Sequence, residues 1–331
     1  MEDDLINDGD GFSSKNLGWK NQDPDDVVYA LAFSPDFVSS GVCFAACESG
    51  LMRSDDGGAS WFSAFDSLNL EEPLPAVSLA LSPAFPTDAT LFTGMTGGVL
   101  RSLDGGKSWT VAQLQSPPPL VSSLAVSPGF PTDGMIFAAT IGAGVFRSID
   151  RGAEWISWNF GLYDLSILCL AVSPNFIDDK TIFVGTESGV FRSTNEGRSW
   201  RSLDFPASAA PVVSLALSPN YGQDGTMFAG SEAAGLFTSK DRGRTWQHVD
   251  ELDSSDTVNA ILLSPGFPDK PEILVMLENR LLFSRDQGKT WKNWKKGLEF
   301  EVGLVSVAAP EGLGAGLPLL VGLGDGRVLR V

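Results

Sequence analysis

One eight-residue pattern, Ser-x-Asp-x-Gly-x-x-Trp, returns six times along the chain, and its spacing leaves few folds open. It stands at Ser54-Asp56-Gly58-Trp61, Ser102-Asp104-Gly106-Trp109 and Ser148-Asp150-Gly152-Trp155. It continues at Ser193-Asn195-Gly197-Trp200, Ser239-Asp241-Gly243-Trp246 and Ser284-Asp286-Gly288-Trp291, with Asn replacing Asp in the fourth copy. Successive Trp residues are 48, 46, 45, 46 and 45 positions apart. A second marker, an apolar run closed by Ser-Pro, ends at Pro35, Pro83, Pro128, Pro174, Pro219 and Pro265, and a seventh run ends in Ala309-Pro310. Together they divide the chain into seven units of about 46 residues.

Each unit reads as four short strands. In the third, LVSSLAV (120–126) is closed by Pro128, which cannot donate to a ladder. MIFAAT (135–140), VFRS (145–148) and EWISW (154–158) follow, separated by turn sequences. Asp88, Asp133, Asp179 and Asp224 recur in the first of those turns and are assigned to turn stabilisation. Four-stranded units repeated radially build a β-propeller. The expected fold is all-β, a seven-bladed propeller of antiparallel blades covering residues 17–331 as one domain. The seventh unit stops after RVLRV (327–331), without a fourth strand. LGWK (17–20) places Trp19 where other units have the Trp after the hairpin, so this N-terminal strand is expected to complete the C-terminal blade and remove an open edge. Residues 1–16 are acidic, lack periodicity and are expected to be a disordered tail.

Every element of the repeated pattern serves a hairpin. Asp and Ser bond the backbone of their own turn, Gly takes a positive φ, and Trp fills space between blades. Asn195 keeps most of those bonds. The six copies resemble the Asp-box, or BNR repeat, of sialidase-like propellers, over residues 17–331. That resemblance implies a structural box on the face opposite the usual binding site. Its members include sialidases, two-propeller xyloglucan hydrolases, sortilin-type receptors and Ycf48-like photosystem II assembly factors, so it implies a fold and no single activity. Sialidase chemistry needs an arginine cluster, a Tyr nucleophile with a Glu, and an acid Asp. Here Arg53, Arg101, Arg147 and Arg192 all occupy one repeat position, which points to structure, such as stacking on the box Trp residues. The Arg-Ile-Pro motif of sialidases is absent, and the xyloglucan hydrolases work between two propellers where this chain has one. The assembly factors carry an arginine-rich patch that the sequence does not show.

Other chemistry is thinly supplied. His248 is the single His, read as exposed and idle, which argues against His-based triads and His-ligated metals. Cys43, Cys47 and Cys169 form no metal-binding spacing and are read as free thiols of a reducing compartment; with no signal peptide in this chain, the cytoplasm is expected, the alternative being an extracytoplasmic site if the chain is a fragment of a longer, exported protein. GLGAG (312–316) and GLGDG (322–326) open no helix and are read as turns, and NDGDG (7–11) lacks the register of a calcium loop. No cofactor and no metal are expected. A net charge of −18 disfavours nucleic acid, and no apolar run is long enough for membrane insertion.

Charge sorted by face is more telling. Bases gather with the Asp-boxes, whereas the face opposite holds many acids and few bases. Those acids are Glu48, Glu71, Glu72, Glu187, Glu232, Asp250, Glu251, Asp253, Asp256, Glu278, Glu299, Glu301 and Asp325. Phe65, Trp158, Phe160, Tyr163 and Phe205 lie in or near inter-blade segments; Trp158 has an equivalent in Trp294 and reads as core, while Phe160 and Tyr163 lack equivalents. The binding candidates are therefore Glu48, Glu187, Glu232, Glu278, Asp325, Phe160 and Tyr163. The expected function is a non-enzymatic interaction scaffold that docks a protein partner, a basic one, through this acidic face, either as a monomeric propeller or within a larger complex. The alternative is a glycan-binding or glycoside hydrolase-like protein using carboxylates at the central mouth.

Overall fold

The computed structural model describes residues 26–114, 117–250, 252, 255–295, 298, 300–314 and 316–331. They form a seven-bladed β-propeller. Six blades are four-stranded antiparallel sheets with strands in chain order; among the described residues the seventh has three, Leu304–Ala308, Leu320–Leu323 and Val328–Arg330. First strands of successive blades touch all the way round, and that of blade seven touches Val28–Phe33 of blade one, closing the ring. The expected closing strand at 17–20 and the tail at 1–16 lie outside the described residues.

Burial follows from this geometry. Second strands are covered on both faces by neighbouring blades, so Cys43–Cys47 and Ile182–Thr186 are buried throughout and read as unbroken small or apolar runs. Burial also pushes the Cys43 thiol up to about 12 and the Cys47 thiol higher still, so both are inert at neutral pH.

The turn after the first strand, expected from the sequence as a turn without a stated form, is a single helical turn, Phe130–Asp133 in blade three. Its Asp133 accepts the Ser127 hydroxyl at 2.6 Å and Met135 N–H at 2.8 Å. Ser82–Asp88, Ser173–Asp179 and Ser218–Asp224 repeat the bond. The Ser of the Ser-Pro marker is thus the buried partner of that aspartate in blades two to five. This turn, helical in blades two to five and non-helical in blade six, drives an aromatic ring against the preceding blade. Phe44–Phe85, Phe92–Phe130, Phe137–Phe176, Phe183–Tyr221 and Phe228–Phe267 meet edge to face at 5.8, 5.7, 5.6, 5.8 and 6.1 Å.

In all six Ser-x-Asp-x-Gly-x-x-Trp segments the Ser hydroxyl donates to the Asp or Asn side chain and accepts the Gly N–H, as in Ser239–Asp241 (2.8 Å) and Gly243–Ser239 (2.9 Å). Asn195 keeps the pattern: its Oδ1 accepts Ser199 N–H at 2.9 Å and its Nδ2 donates to the Ser199 hydroxyl at 2.8 Å. In blades two and three the Asp also holds two N–H groups, Lys107 and Ser108 on Asp104 and Ala153 and Glu154 on Asp150. Trp109 and Trp200 reach into the preceding blade, donating to the carbonyls of Ala64 and Trp158, whereas Trp61 and Trp291 donate within their own hairpins.

The arginines before these hairpins do not stack on the hairpin tryptophans. Arg53, Arg101, Arg147 and Arg192 each donate across the ring to the next hairpin, onto the carbonyls of Gly105, Arg151, Glu196 and Arg242. A long fork reaches a backbone acceptor that a stacked ring would not place within range. Arg147 alone covers an indole, that of Trp158 at 4.1 Å, and also pairs with Glu196 at 2.9 Å.

The hairpin carboxylates set an acid limit. Asp241 and Asp286 are held down to about 2 by the hydroxyl and N–H of Thr245 and Thr290; in Asp56, Asp104 and Asp150 burial opposes the shift, yet hydrogen bonds still lower the pKa. A depressed folded-state pKa gives stability that is present above the unfolded value of 3.8 and is lost as pH falls towards about 2. Thermal melts are therefore expected to hold down to about pH 4 and then fall steeply. Asp241→Asn, which installs the side chain already used at Asn195, is expected to flatten part of that decline.

Candidate functional site

Antiparallel order sends alternate connections to opposite faces. Helical turns and Ser/Asp hairpins share one face; second-to-third-strand turns and blade-to-blade segments share the other. Five of those turns carry an acid at one topological position: Glu48, Glu187, Glu232, Glu278 and Asp325, on blades one, four, five, six and seven.

The first four are exposed. Glu48 accepts the Tyr29 hydroxyl at 2.8 Å; burial of Tyr29 first, and this bond second, push the phenol up to about 12. Asp325 differs. It is half-buried, accepts Arg327 Nε–H at 2.8 Å and pairs with that guanidinium at 2.7 Å. Its charge is compensated within its own turn.

Three further aspartates lie just ahead of first strands and fasten the neighbouring turns. Asp26, 3% exposed, takes both the N–H and the hydroxyl of Ser49 at 2.9 Å. Asp164 takes Ser188 N–H at 2.8 Å, and Asp256 takes Arg280 at 2.5 Å. Asp26 and Asp164 were not among the sequence candidates, although an acid two or three residues before Val28, Ile167 and Val258 was the available signal. Of the other acids named for this face, Glu71, Glu72 and Glu301 are exposed, while Glu251, Asp253 and Glu299 lie outside the described residues.

His248 is not idle. It is half-buried, its Nδ1 meets Asp250 at 2.9 Å, and its ring lies edge-on to Phe237 at 5.1 Å. Phe65 and Phe205 are core residues, 6% and 7% exposed, because each turns inward against the next hairpin tryptophan, Trp109 and Trp246. Trp158 lies half-buried between Arg147 and Arg198. Phe160 and Tyr163 project outward, 80% and 73% exposed.

A hollow of about 360 Å³ on this face, missed in the sequence, is lined by Asn279, Arg280, Leu281, Asn293, Trp294 and Phe300 among others. Among the described residues no group of three or more His, Cys, Asp or Glu is placed to hold a metal ion. The arrangement supplies exposed negative charges on separate blades. Such charges attract cations over about 10 Å at ordinary ionic strength and steer a basic surface inward.

Comparison with known proteins places the fold. No family model and no curated protein sequence matches the chain. Solved structures do. The GH74 xyloglucanase from Xanthomonas campestris superposes with a TM-score of 0.70 at 18% identity over 93% of this chain, and the chain spans 52% of that enzyme. The extracellular domain of the putative one component system BT4673 from B. thetaiotaomicron gives 0.67 at 15% over 92%, and the chain spans 38% of it. YCF48 from Cyanidioschyzon merolae gives 0.66 at 14% over 94% of this chain and 96% of its own, and a YCF48 structure bound to D1 peptide gives 0.64. At these identities the likeness is one of fold: the neighbours are seven-bladed propellers, among them both hydrolases and proteins of other kinds.

Proposed function

We propose that the chain is an Asp-box propeller of the sialidase-like superfamily that acts as a non-enzymatic scaffold, binding a basic protein partner through the face opposite its hairpins. The observation that carries this reading is the series of exposed carboxylates Glu48, Glu187, Glu232 and Glu278, one per blade at equivalent turns. They stand opposite hairpin acids that are already bonded to their own backbones. The near end-to-end match with YCF48, which has been solved with a peptide bound, supports a single propeller of this size working by binding.

The test compares the protein with a Glu187→Lys/Glu232→Lys/Glu278→Lys variant, each immobilised and exposed to source-cell lysate at low ionic strength. Proteins retained by the native chain alone, and released as salt approaches about 1 M, where the Debye length is about 3 Å, are the expected result. Identical retention by both chains, or release of sugars from a glycan substrate at enzymatic rates, would overturn it.

A further inference from the structure

The acidic turns do not run all the way round the ring. At the position of Glu48 and Glu187, blades two and three carry Thr96-Gly97 and Ile141-Gly142. Backbone pairing makes this uncharged stretch continuous. Thr96 bridges to Leu120, Leu120 pairs with Ile141, and the N–H groups of Gly142 and Gly144 both donate to the Leu165 carbonyl at 3.0 Å. The neighbouring Asp164 accepts Ser188 N–H, which draws the same segment against the turn of Glu187. Apolar side chains remain open to solvent here: Ile141 is 37% exposed, Leu165 36% and Tyr163 73%.

The segment that presents Tyr163 is fastened along its length. The Asn159 side chain accepts Val145 N–H at 2.9 Å and donates to the Ala143 carbonyl at 3.0 Å. The Phe160 carbonyl accepts Trp200 N–H at 2.8 Å, Leu162 is buried, and the Tyr163 ring rests edge-on against Phe191 at 4.7 Å. A loop held this way loses little further freedom when a partner arrives, which is how a rigid aromatic becomes an efficient anchor. Phe160 itself lies further out, bridged to Ser199 beside Arg198 and Glu196, and falls outside the uncharged stretch.

We propose that this sector is the anchoring point for a protein segment that sets one large apolar side chain against Ile141, Tyr163 and Leu165 and carries Lys or Arg on both sides, towards Glu48 and Glu187. Open apolar side chains inside a charged rim are the anatomy of an interface whose energy is concentrated in a few residues. The inference rests on the acidic-face reading and adds where on that face the partner is held. The charge gap selects the partner's chemistry: over the gap the one acid beside the anchor, Asp164, is already bonded to the N–H groups of Ser166 and Ser188, whereas bases flanking it meet the exposed Glu48 and Glu187.

A random peptide library displayed on phage and selected on the whole propeller provides the probe. The expected consensus is an aromatic or large aliphatic residue flanked by Lys or Arg. A synthetic peptide of that consensus is expected to lose about tenfold or more in affinity on Tyr163→Ala or Ile141→Ser. Its salt dependence is expected to shrink on Glu48→Lys/Glu187→Lys. These side chains are exposed, and unchanged melting temperatures establish that the variants fold. Selected peptides that ignore Tyr163→Ala and Ile141→Ser yet weaken on Glu232→Lys or Glu278→Lys would overturn the anchor while leaving the acidic-face reading intact. Selected peptides insensitive to every one of these substitutions would overturn both. Capture of soluble glycans, abolished by Tyr163→Ala with no peptide enriched, would also overturn the anchor as a protein site.

Discussion

Gly230→Ala is expected to lower stability by about 3 kcal/mol, the upper part of the range for overfilling a packed core, and the melting temperature by several degrees. The reason lies in how the blades are joined near the axis. The Ser214 hydroxyl donates to the Val258 carbonyl of the next blade at 2.6 Å. Ser78 to Val121, Ser122 to Ile167, Cys169 to Val212 and Ser306 to Val28 repeat the contact at 2.9, 2.6, 3.6 and 2.8 Å, the last across the closure. The residue paired with the donor on the second strand is Gly94, Gly185, Gly230 or Gly322. A Cβ at Gly230 would overlap the Ser214 hydroxyl and stand 2.5 Å from the Val258 carbonyl. Blade three shows the alternative: Ala139 stands opposite Ser123, and the neighbouring Ser122 makes the inter-blade bond instead. Blade one pairs Ala30 with Ala46. The double variant Ser214→Ala/Gly230→Ala copies that pair, so it is expected to be less damaging than Gly230→Ala alone, a departure from additivity. Thermal and urea denaturation of Ser214→Ala, Gly230→Ala and the double variant checks this; a double-variant loss equal to the sum of the two single losses would show that the hydroxyl and the missing Cβ are not coupled.

Deleting residues 1–20 is expected to cost about 3–5 kcal/mol, comparable to losing one well-buried tryptophan, whereas deleting residues 1–14 is expected to leave the melting temperature unchanged. Val328–Arg330 is the outermost described strand of its sheet, the place where every other blade carries a fourth strand and a tryptophan such as Trp200, 3% exposed. LGWK offers the matching residues. An open edge would also invite pairing with another chain, so the longer deletion is expected to self-associate as well as to melt earlier. Equal melting curves for the two truncations would refute closure by this segment. A loss already complete on removing 1–14 would assign the role to the acidic tail.

Much of the architecture was legible because a propeller repeats one local problem seven times. Each Ser/Asp hairpin satisfies its own backbone, and each Ser-Pro marks the end of a first strand, so period alone counts blades. The one-turn helices were less legible, since Phe130–Asp133 is held by Ser127 from outside the turn. Arg53, Arg101, Arg147 and Arg192 were legible as structural but not in their partners: a side chain that crosses to the next blade leaves only a period in the sequence. Phe65 and Phe205 show the same limit, since nothing local distinguishes an inter-blade phenylalanine that turns inward from Phe160, which does not.

By itself, then, the sequence determined the class of fold, the number of blades, the hairpin chemistry and the positions of the turn acids, because these depend on residues within a few places of one another. Only the tertiary structure decided which acids remain available. Asp325 meets Arg327, Asp26 and Asp164 close neighbouring turns, and Glu187 stays open beside an apolar sector assembled from blades two, three and four. Apart from the Asp325–Arg327 pair, which lies within one turn, those fates rest on contacts between segments distant in the chain, and ring closure brings such segments together irrespective of their local patterns.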